Sequence, residues 1–261
     1  MNAILYIIIF VMGSVFGSFL TLATYRIPLD QDITHKHSYC PKCNHKLNFL
    51  DMIPILSYVF LKGKCRYCKA KIGPRYFIIE ILCGISFILL ALMLRININT
   101  LTITSIINFG LGALYIVFLF LIAGIDKEQH EIDKRVLIYG LMLAIANTIY
   151  EYFYLSNINF NRIVIYLVIL VIILMIDLIK MKKKGKDSYA LNTFIFCIIM
   201  ALLTYETTTI ISVIFTLIIV FFDNLIKSIT KKESKNAEPI AFYLCIANAL
   251  SIIIMSIISY Y

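Results

Sequence analysis

Apolar residues run along this chain in blocks too long for the amphipathic helices or alternating strands of a soluble fold. Blocks of about 20 residues, enough to cross a hydrocarbon core of ~30 Å, recur from one end to the other. Eight membrane-spanning helices are predicted, at roughly 3–25, 76–94, 101–124, 136–154, 162–180, 189–204, 208–226 and 240–259. The predicted fold class is therefore an all-α polytopic membrane protein. A small polar loop joins its first two helices. The first block, MNAILYIIIFVMGSVFGSFL, has no basic start, and its first cation, Arg26, follows the apolar run. A retained helix is expected there rather than a cleaved signal. The long connection divides the chain into residues 1–95, two helices with a loop at 35–75, and residues 96–261, a second transmembrane domain.

The polar segments between the blocks sort by charge. Segments 26–75, 125–135, 180–188 and 227–239 hold 10, 3, 5 and 4 Lys/Arg residues, leaving only Arg95 and Arg162 for the segments that alternate with them. Basic loops stay in the cytoplasm, so the four-cysteine loop is expected there and both termini outside. The net charge of +9 is thus mainly a topology signal, reinforced by anionic lipid at the inner surface. A nucleic-acid partner is not expected, because the cations are spread over four separate loops. Membrane lipid is.

The 26–75 connection contains Cys40-x2-Cys43 and Cys65-x2-Cys68, with 21 residues between the pairs. Two such turns bring four thiolates into a tetrahedron, the closed coordination of structural zinc. A disulfide pairing is disfavoured by the reducing cytoplasm. His35, His37 and His45 are possible substitute ligands, though with four cysteines present they are expected to be solvated. Zinc here would help fold a loop with little core of its own. Cys83, Cys197 and Cys245 lie singly within apolar blocks and are expected to be small core residues.

Ionisable residues at the edge of a span are costly, and four aspartates qualify: Asp126, Asp177, Asp187 and Asp223. Lys180 and Lys227, at helical spacing from Asp177 and Asp223, offer those two ordinary ion pairs. Asp126 closes the third predicted helix and Asp187 opens the sixth, at the same depth. Two carboxylates close together in a low dielectric share a proton. Such a pair provides a base to activate water and an acid to protonate a leaving amine. Helix caps and snorkelling pairs are the alternative reading. Charges gathered at helix ends rather than midway along them disfavour a transporter.

These motifs, in this order, resemble the type IV prepilin peptidases, the prepilin leader peptidase/N-methyltransferase family. GSFLTLATYRIP (Gly17–Pro28) is similar to the family's first-helix motif, with Thr21 where Asn is usual. DMIP (Asp51–Pro54), the two CxxC pairs and GPRYFIIEILCG with Arg75, Tyr76 and Glu80 follow. IDKEQHEIDKRV from Asp126, and EPIAF around Pro239, complete the resemblance. It implies a membrane aspartic endopeptidase that removes the basic leader of type IV prepilins or pseudopilins at the cytoplasmic membrane of a bacterium. It also implies N-methylation of the new N-terminus from S-adenosylmethionine. Asp126 and Asp187 would be the catalytic pair, in an aspartic peptidase domain spanning 96–261, and zinc would hold the loop. Glu128, Glu131 and Asp133 could receive the basic leader, or be ordinary solvated charges. The chain departs from the family at Ile132-Asp133-Lys134, where a Pro is usual. It departs again at Lys184-Gly185-Lys186-Asp187, where the aspartate usually ends a G-x-G-D motif and lysines replace both glycines. Asp177 is the fallback partner. The alternative to the enzyme is an inactive homologue or a zinc-stapled membrane scaffold.

Overall fold

The computed structural model describes residues 2–33, 37–154, 164, 168, 189–204, 206–230 and 239–258. Among them the fold is helical, and the only β pairing consists of two isolated bridges in the four-cysteine loop. The helices are α1 (Asn2–Arg26), the short α2 (Leu56–Phe60), α3 (Arg75–Met93), α4 (Ile103–Gln129), α5 (Lys134–Tyr154), α6 (Tyr189–Leu203), α7 (Glu206–Thr230) and α8 (Ile240–Ile258). Six of them, α1, α3, α4, α5, α7 and α8, are long and apolar enough to cross a membrane. The sixth predicted span appears as α6, whose 15 residues make a helix of about 22 Å, short for a ~30 Å hydrocarbon core. The fifth predicted span, 162–180, lies outside the described residues apart from residues 164 and 168.

By packing the chain divides into two units, Met1–Val117 and Phe118–Tyr261, the boundary falling within α4. In the first unit α1 lies against α3, and small residues set how close they come. A Cβ on Gly17 would stand 2.8 Å from Glu80 Cα, and one on Gly13 would meet the carbonyl oxygen of Cys83 at 2.8 Å. Lipid tails offer no hydrophobic drive for helices to associate, so backbone contact of this kind supplies the van der Waals energy instead. Phe87, fully buried, fills the same interface, and Phe109 of α4 meets its ring edge-on.

In the second unit α5 packs on α6 and α7 on α8. The α7–α8 contact is lined by small polar side chains. Asn248 Nδ2 donates to Ser212 Oγ at 3.2 Å, and both residues are fully buried. Neighbouring Thr208, Thr216 and Ser251 are also buried. Hydroxyls that also satisfy their own helix let two apolar helices meet closely without orphaned polar groups. Cys83 and Cys245 are buried, as expected of small core residues, and Cys197 is partly so.

Candidate functional site

Each CxxC pair folds into the same turn. Asn44 N–H donates to Cys40 O at 2.8 Å and Cys40 N–H to His45 O at 3.0 Å. In the second pair Lys69 N–H donates to Cys65 O at 3.0 Å and Cys65 N–H to Ala70 O at 2.8 Å. The residue after each second cysteine, Asn44 or Lys69, takes a positive φ of 56° or 58°, which reverses the chain. Bridges Tyr39–Lys46 and Lys64–Lys71 close the two turns. In both, the first cysteine is buried and the second exposed.

The four Sγ atoms all lie within 4.8 Å of one another, and Cys40 Sγ stands 3.8 Å from Cys68 Sγ. Tetrahedral zinc with Zn–S bonds of ~2.3 Å requires sulfurs about 3.8 Å apart, so the donor set fits the ion. All four cysteines are free thiols rather than disulfides. Backbone N–H groups of Cys43 and Lys42 hold the Cys40 thiol down at about 7. For Cys43 the His45 backbone pulls the same way, but burial and the sulfurs of Cys68 and Cys40 win and raise it to about 11. Thiols this close oppose each other's ionisation, and a divalent cation relieves that conflict. Of the candidate substitute ligands, His45 stacks on Tyr67 with ring centroids 3.6 Å apart, His37 is outside the sulfur cluster, and His35 lies outside the described residues.

Asp51 ties the intervening segment to the second turn. Its side chain, only 3% exposed, pairs with Arg66, accepts Tyr67 Oη at 3.0 Å and accepts the Asn48 N–H at 3.1 Å. Burial works against its charge, yet the Arg66 guanidinium, the Asn48 N–H and the Tyr67 hydroxyl outweigh it and hold the carboxyl below its ordinary range. Arg66 and Tyr67 are the two residues between Cys65 and Cys68, so Asp51 braces the metal loop from outside.

The second unit contains a buried carboxylate. Helix α4 runs past the predicted end at 124 to Gln129, which places Asp126 in its last turn rather than just beyond it. The helix stops because His130 turns left-handed, with φ 54° and its N–H on Asp126 O at 2.9 Å. Asp126 is completely buried. Its Oδ1 accepts the hydroxyl of Tyr189 at 2.9 Å and its Oδ2 accepts the N–H of Phe242 at 2.8 Å. Tyr189 Oη in turn accepts the N–H of Ala241 at 3.1 Å. Pro239 precedes α8, so Ala241 and Phe242 belong to the first turn, whose N–H groups have no partner within the helix. A carboxylate and a phenol oxygen there satisfy both orphan donors and meet the positive end of the helix dipole. Asn192 Nδ2 donates to Ile132 O at 3.1 Å and holds the turn after α4 against α6.

Asp187 and Asp177 lie outside the described residues, as does Lys180. Asp223 accepts the hydroxyl of Tyr243 on α8 at 3.2 Å. Among the acidic trio, Glu128 and Glu131 are exposed, whereas Asp133 is occupied locally. Asp133 pairs with Arg135 at 2.7 Å and accepts the Arg135 N–H at the start of α5. Sequence reasoning missed Tyr189 and Asn192. The only sequence signal for Tyr189 was its place two residues after Asp187; the partners that give it meaning lie far along the chain.

Residues 11–94 match the family described as Bacterial Peptidase A24 N-terminal domain. That region holds α1, the four-cysteine loop and α3. Curated relatives include a protein of Myxococcus xanthus named prepilin leader peptidase/N-methyltransferase, 42% identical over 81 residues, 31% of this chain and 24% of that one. A Bacillus subtilis protein of the same name is 32% identical over 143 residues, 54% of each chain. A Klebsiella pneumoniae protein, also so named, is 29% identical over 126 residues, 46% of this chain and 51% of that one. The chain thus spans between about a quarter and about half the length of these relatives. No solved structure matches it.

Proposed function

Because the chain is a relative of the prepilin leader peptidase/N-methyltransferases, we propose that it removes the basic leader peptide of type IV prepilins or pseudopilins at a bacterial inner membrane, by aspartic chemistry. Its first unit would present the four-cysteine loop to the cytoplasm, with both termini outside, and residues 96–261 would form the peptidase domain. The observation that carries this reading is Asp126: a carboxylate fully buried at the end of a membrane-spanning helix, with both oxygens held by Tyr189 and α8. A carboxylate in such a place is expensive, and a merely structural one would sooner be paired with a cation.

The partner is Asp187. It is tethered two residues from Tyr189, and two residues of chain span at most about 7 Å. One carboxylate takes a proton as water attacks the scissile carbonyl. The other gives a proton to the departing amine, so the pair ends with its protons exchanged and the peptide bond hydrolysed. Tyr189 donates to Asp126 throughout and keeps one oxygen fixed. Zinc, held by Cys40, Cys43, Cys65 and Cys68, would be a closed structural ion that folds the loop. The exposed carboxylates Glu128 and Glu131 offer the basic leader a complementary charge.

Methylation of the new N-terminus, with S-adenosylmethionine as the donor, is suggested by the N-methyltransferase in the relatives' name. The cavity between α1 and α4 does not fit that donor: apart from Ser105 its lining is apolar, with Leu5, Ile9, Ile96, Ile106 and Phe109, and it offers the donor's charged groups no charged partner. No methyl-transfer step is assigned to residues of this chain. A second reading, an inactive homologue, is favoured by one feature. Lys184 and Lys186 stand at the two positions before Asp187 where the resemblance leads one to expect glycines.

The test is co-expression with a prepilin of the same organism, following leader removal by gel shift. Wild type is compared with Asp126→Ala, Asp187→Ala and Asp177→Ala at matched membrane levels. Cleavage by wild type, lost in the first two variants only, supports the pair. Loss with Asp177→Ala in place of Asp187→Ala keeps the enzyme and changes the partner. No cleavage by well-expressed wild type leaves the inactive homologue.

A further inference from the structure

The loop between α1 and α3 contains an apolar face that its fold leaves uncovered. Phe49 is 78% exposed and Phe60 79%, with Leu50, Leu56 and Val59 also more than half exposed. None of these residues belongs to a membrane-spanning helix. From Met52 to Leu61 there is no charged side chain. Five large apolar side chains together in water would form a patch that soluble surfaces avoid.

Two contacts place this segment against the side of a membrane-spanning helix. Tyr58 of α2 stacks on Phe77 of α3, with ring centroids 5.0 Å apart. Glu80 Oε2 accepts the N–H of Ile55 at 2.7 Å. Counting from Arg75, Phe77 and Glu80 lie about 3 Å and about 7.5 Å along the helix axis. Glu80 also faces Gly17 of α1, which is nine residues short of the end of that span at Arg26, about 13 Å along its axis. The Ile55 turn therefore sits beside α1 and α3 at a level within both, and α2 lies alongside the first turns of α3.

The backbone is arranged for a site without water. Ile55 has φ 63° and ψ −55°, a strained geometry for a β-branched residue. It allows Leu56 N–H to reach Pro54 O at 2.6 Å while Ile55 N–H reaches Glu80. Ser57 N–H bonds Ile53 O and Val59 N–H bonds Ile55 O, and Pro54 has no N–H to satisfy. Backbone groups at hydrocarbon depth need such partners inside the protein. The exposed lysines Lys62 and Lys64 follow the segment at once, where a headgroup layer would lie.

We propose that residues 49–60 are an interfacial anchor: Phe49, Leu50, Leu56, Val59 and Phe60 insert into the acyl edge of the bilayer, and Lys62 and Lys64 meet anionic headgroups. The four-cysteine loop is then held flat on the membrane between α1 and α3 instead of standing free of it. Interfacial helices bury their apolar side to about this depth, ~5–10 Å into the headgroup and acyl boundary. This inference rests on α1 and α3 spanning the membrane and is independent of the peptidase reading.

The chain has no tryptophan, so a single one reports its own surroundings. Phe60→Trp, Phe49→Trp and, as a water-facing control on the first cysteine turn, Lys42→Trp are each placed in the full chain. Each is reconstituted in vesicles of phosphatidylethanolamine and phosphatidylglycerol, and an unchanged helical circular dichroism spectrum shows that it is folded. The expected result is blue-shifted emission at positions 60 and 49. Lipids brominated on the acyl chain should quench both at least threefold more than position 42, with acrylamide giving the reverse order. Equal acrylamide quenching at 60, 49 and 42, without an effect of brominated lipid, overturns the proposal. So does protection at position 60 that appears only when a prepilin is added, because the face would then belong to a substrate helix.

Discussion

Tyr189 Oη lies 2.9 Å from Asp126 Oδ1 while accepting the N–H of Ala241, so one phenol joins the end of α4 to the first turn of α8. Phe242 N–H completes the arrangement on the other carboxylate oxygen. The carboxylate is held by a side chain on one helix and a backbone on another, so moving either element would change its aim. Its neighbour Lys127 is directed elsewhere, over the ring of Phe242 with Nζ 4.6 Å from the centroid.

Tyr189→Phe removes one donor from Asp126 and leaves the Ala241 N–H without its acceptor. A hydrogen bond to a charged group is worth about 1.5–3 kcal/mol, so leader cleavage is expected to slow by roughly ten- to hundredfold. Initial rates on a prepilin in detergent-solubilised membranes check this. An unchanged rate at equal protein level would remove Tyr189 from the working site.

Purified protein should hold about one zinc per chain, read by inductively coupled plasma mass spectrometry. Cys65→Ser is expected to lose it, because the cysteine replaced is one of the two buried ligands. Acidification should release the metal from wild type as well, since thiolates must be deprotonated to bind. A chain that retains full zinc after Cys65→Ser would show that the ion sits elsewhere.

Asp51→Ala should weaken zinc binding without touching a ligand. The Arg66 and Tyr67 side chains between the second pair of cysteines lose their shared acceptor. Outer partners of metal sites typically contribute about 10- to 100-fold in affinity. Competition with a chromogenic chelator measures the change, and Asp51→Asn, which keeps acceptor oxygen, should recover part of it.

Glu80→Ala leaves the part-buried Ile55 N–H without its acceptor, at a cost of up to about 1–3 kcal/mol. Glu80→Gln keeps the acceptor and is expected to be much milder. Limited proteolysis of the 49–60 segment in reconstituted vesicles separates the two. Equal protection in both variants would mean that the carboxylate does not hold the turn.

Gly17→Leu forces a side chain into the backbone of α3, where even a Cβ would stand 2.8 Å from Glu80 Cα. Overpacking of this kind costs about 1–3 kcal/mol. Helical circular dichroism on heating in detergent should show earlier loss of structure. A substitution at Gly73, where nothing lies within 4 Å, should be tolerated as a control.

What could be read from sequence alone was whatever depends on local pattern. Apolar blocks announced α1, α3, α4, α5, α7 and α8 within a few residues, because spanning a bilayer requires length and apolarity that no local exception removes. Paired CxxC spacings announced the sulfur cluster, because a turn of that length leaves a thiolate little choice of direction. The end of α4 was set five residues too early. Charged residues read as a boundary, while the helix continued through Asp126 until His130 could close it. Only the tertiary structure showed what surrounds Asp126. Its partners Tyr189 and Phe242 come from two other helices, and no periodicity links a carboxylate to an N–H more than a hundred residues away. The same holds for Glu80, whose charge in an apolar helix has a purpose only once the Ile55 turn is folded against it. Apolar blocks specify that helices cross; close packing of their small and polar residues decides which side chains meet.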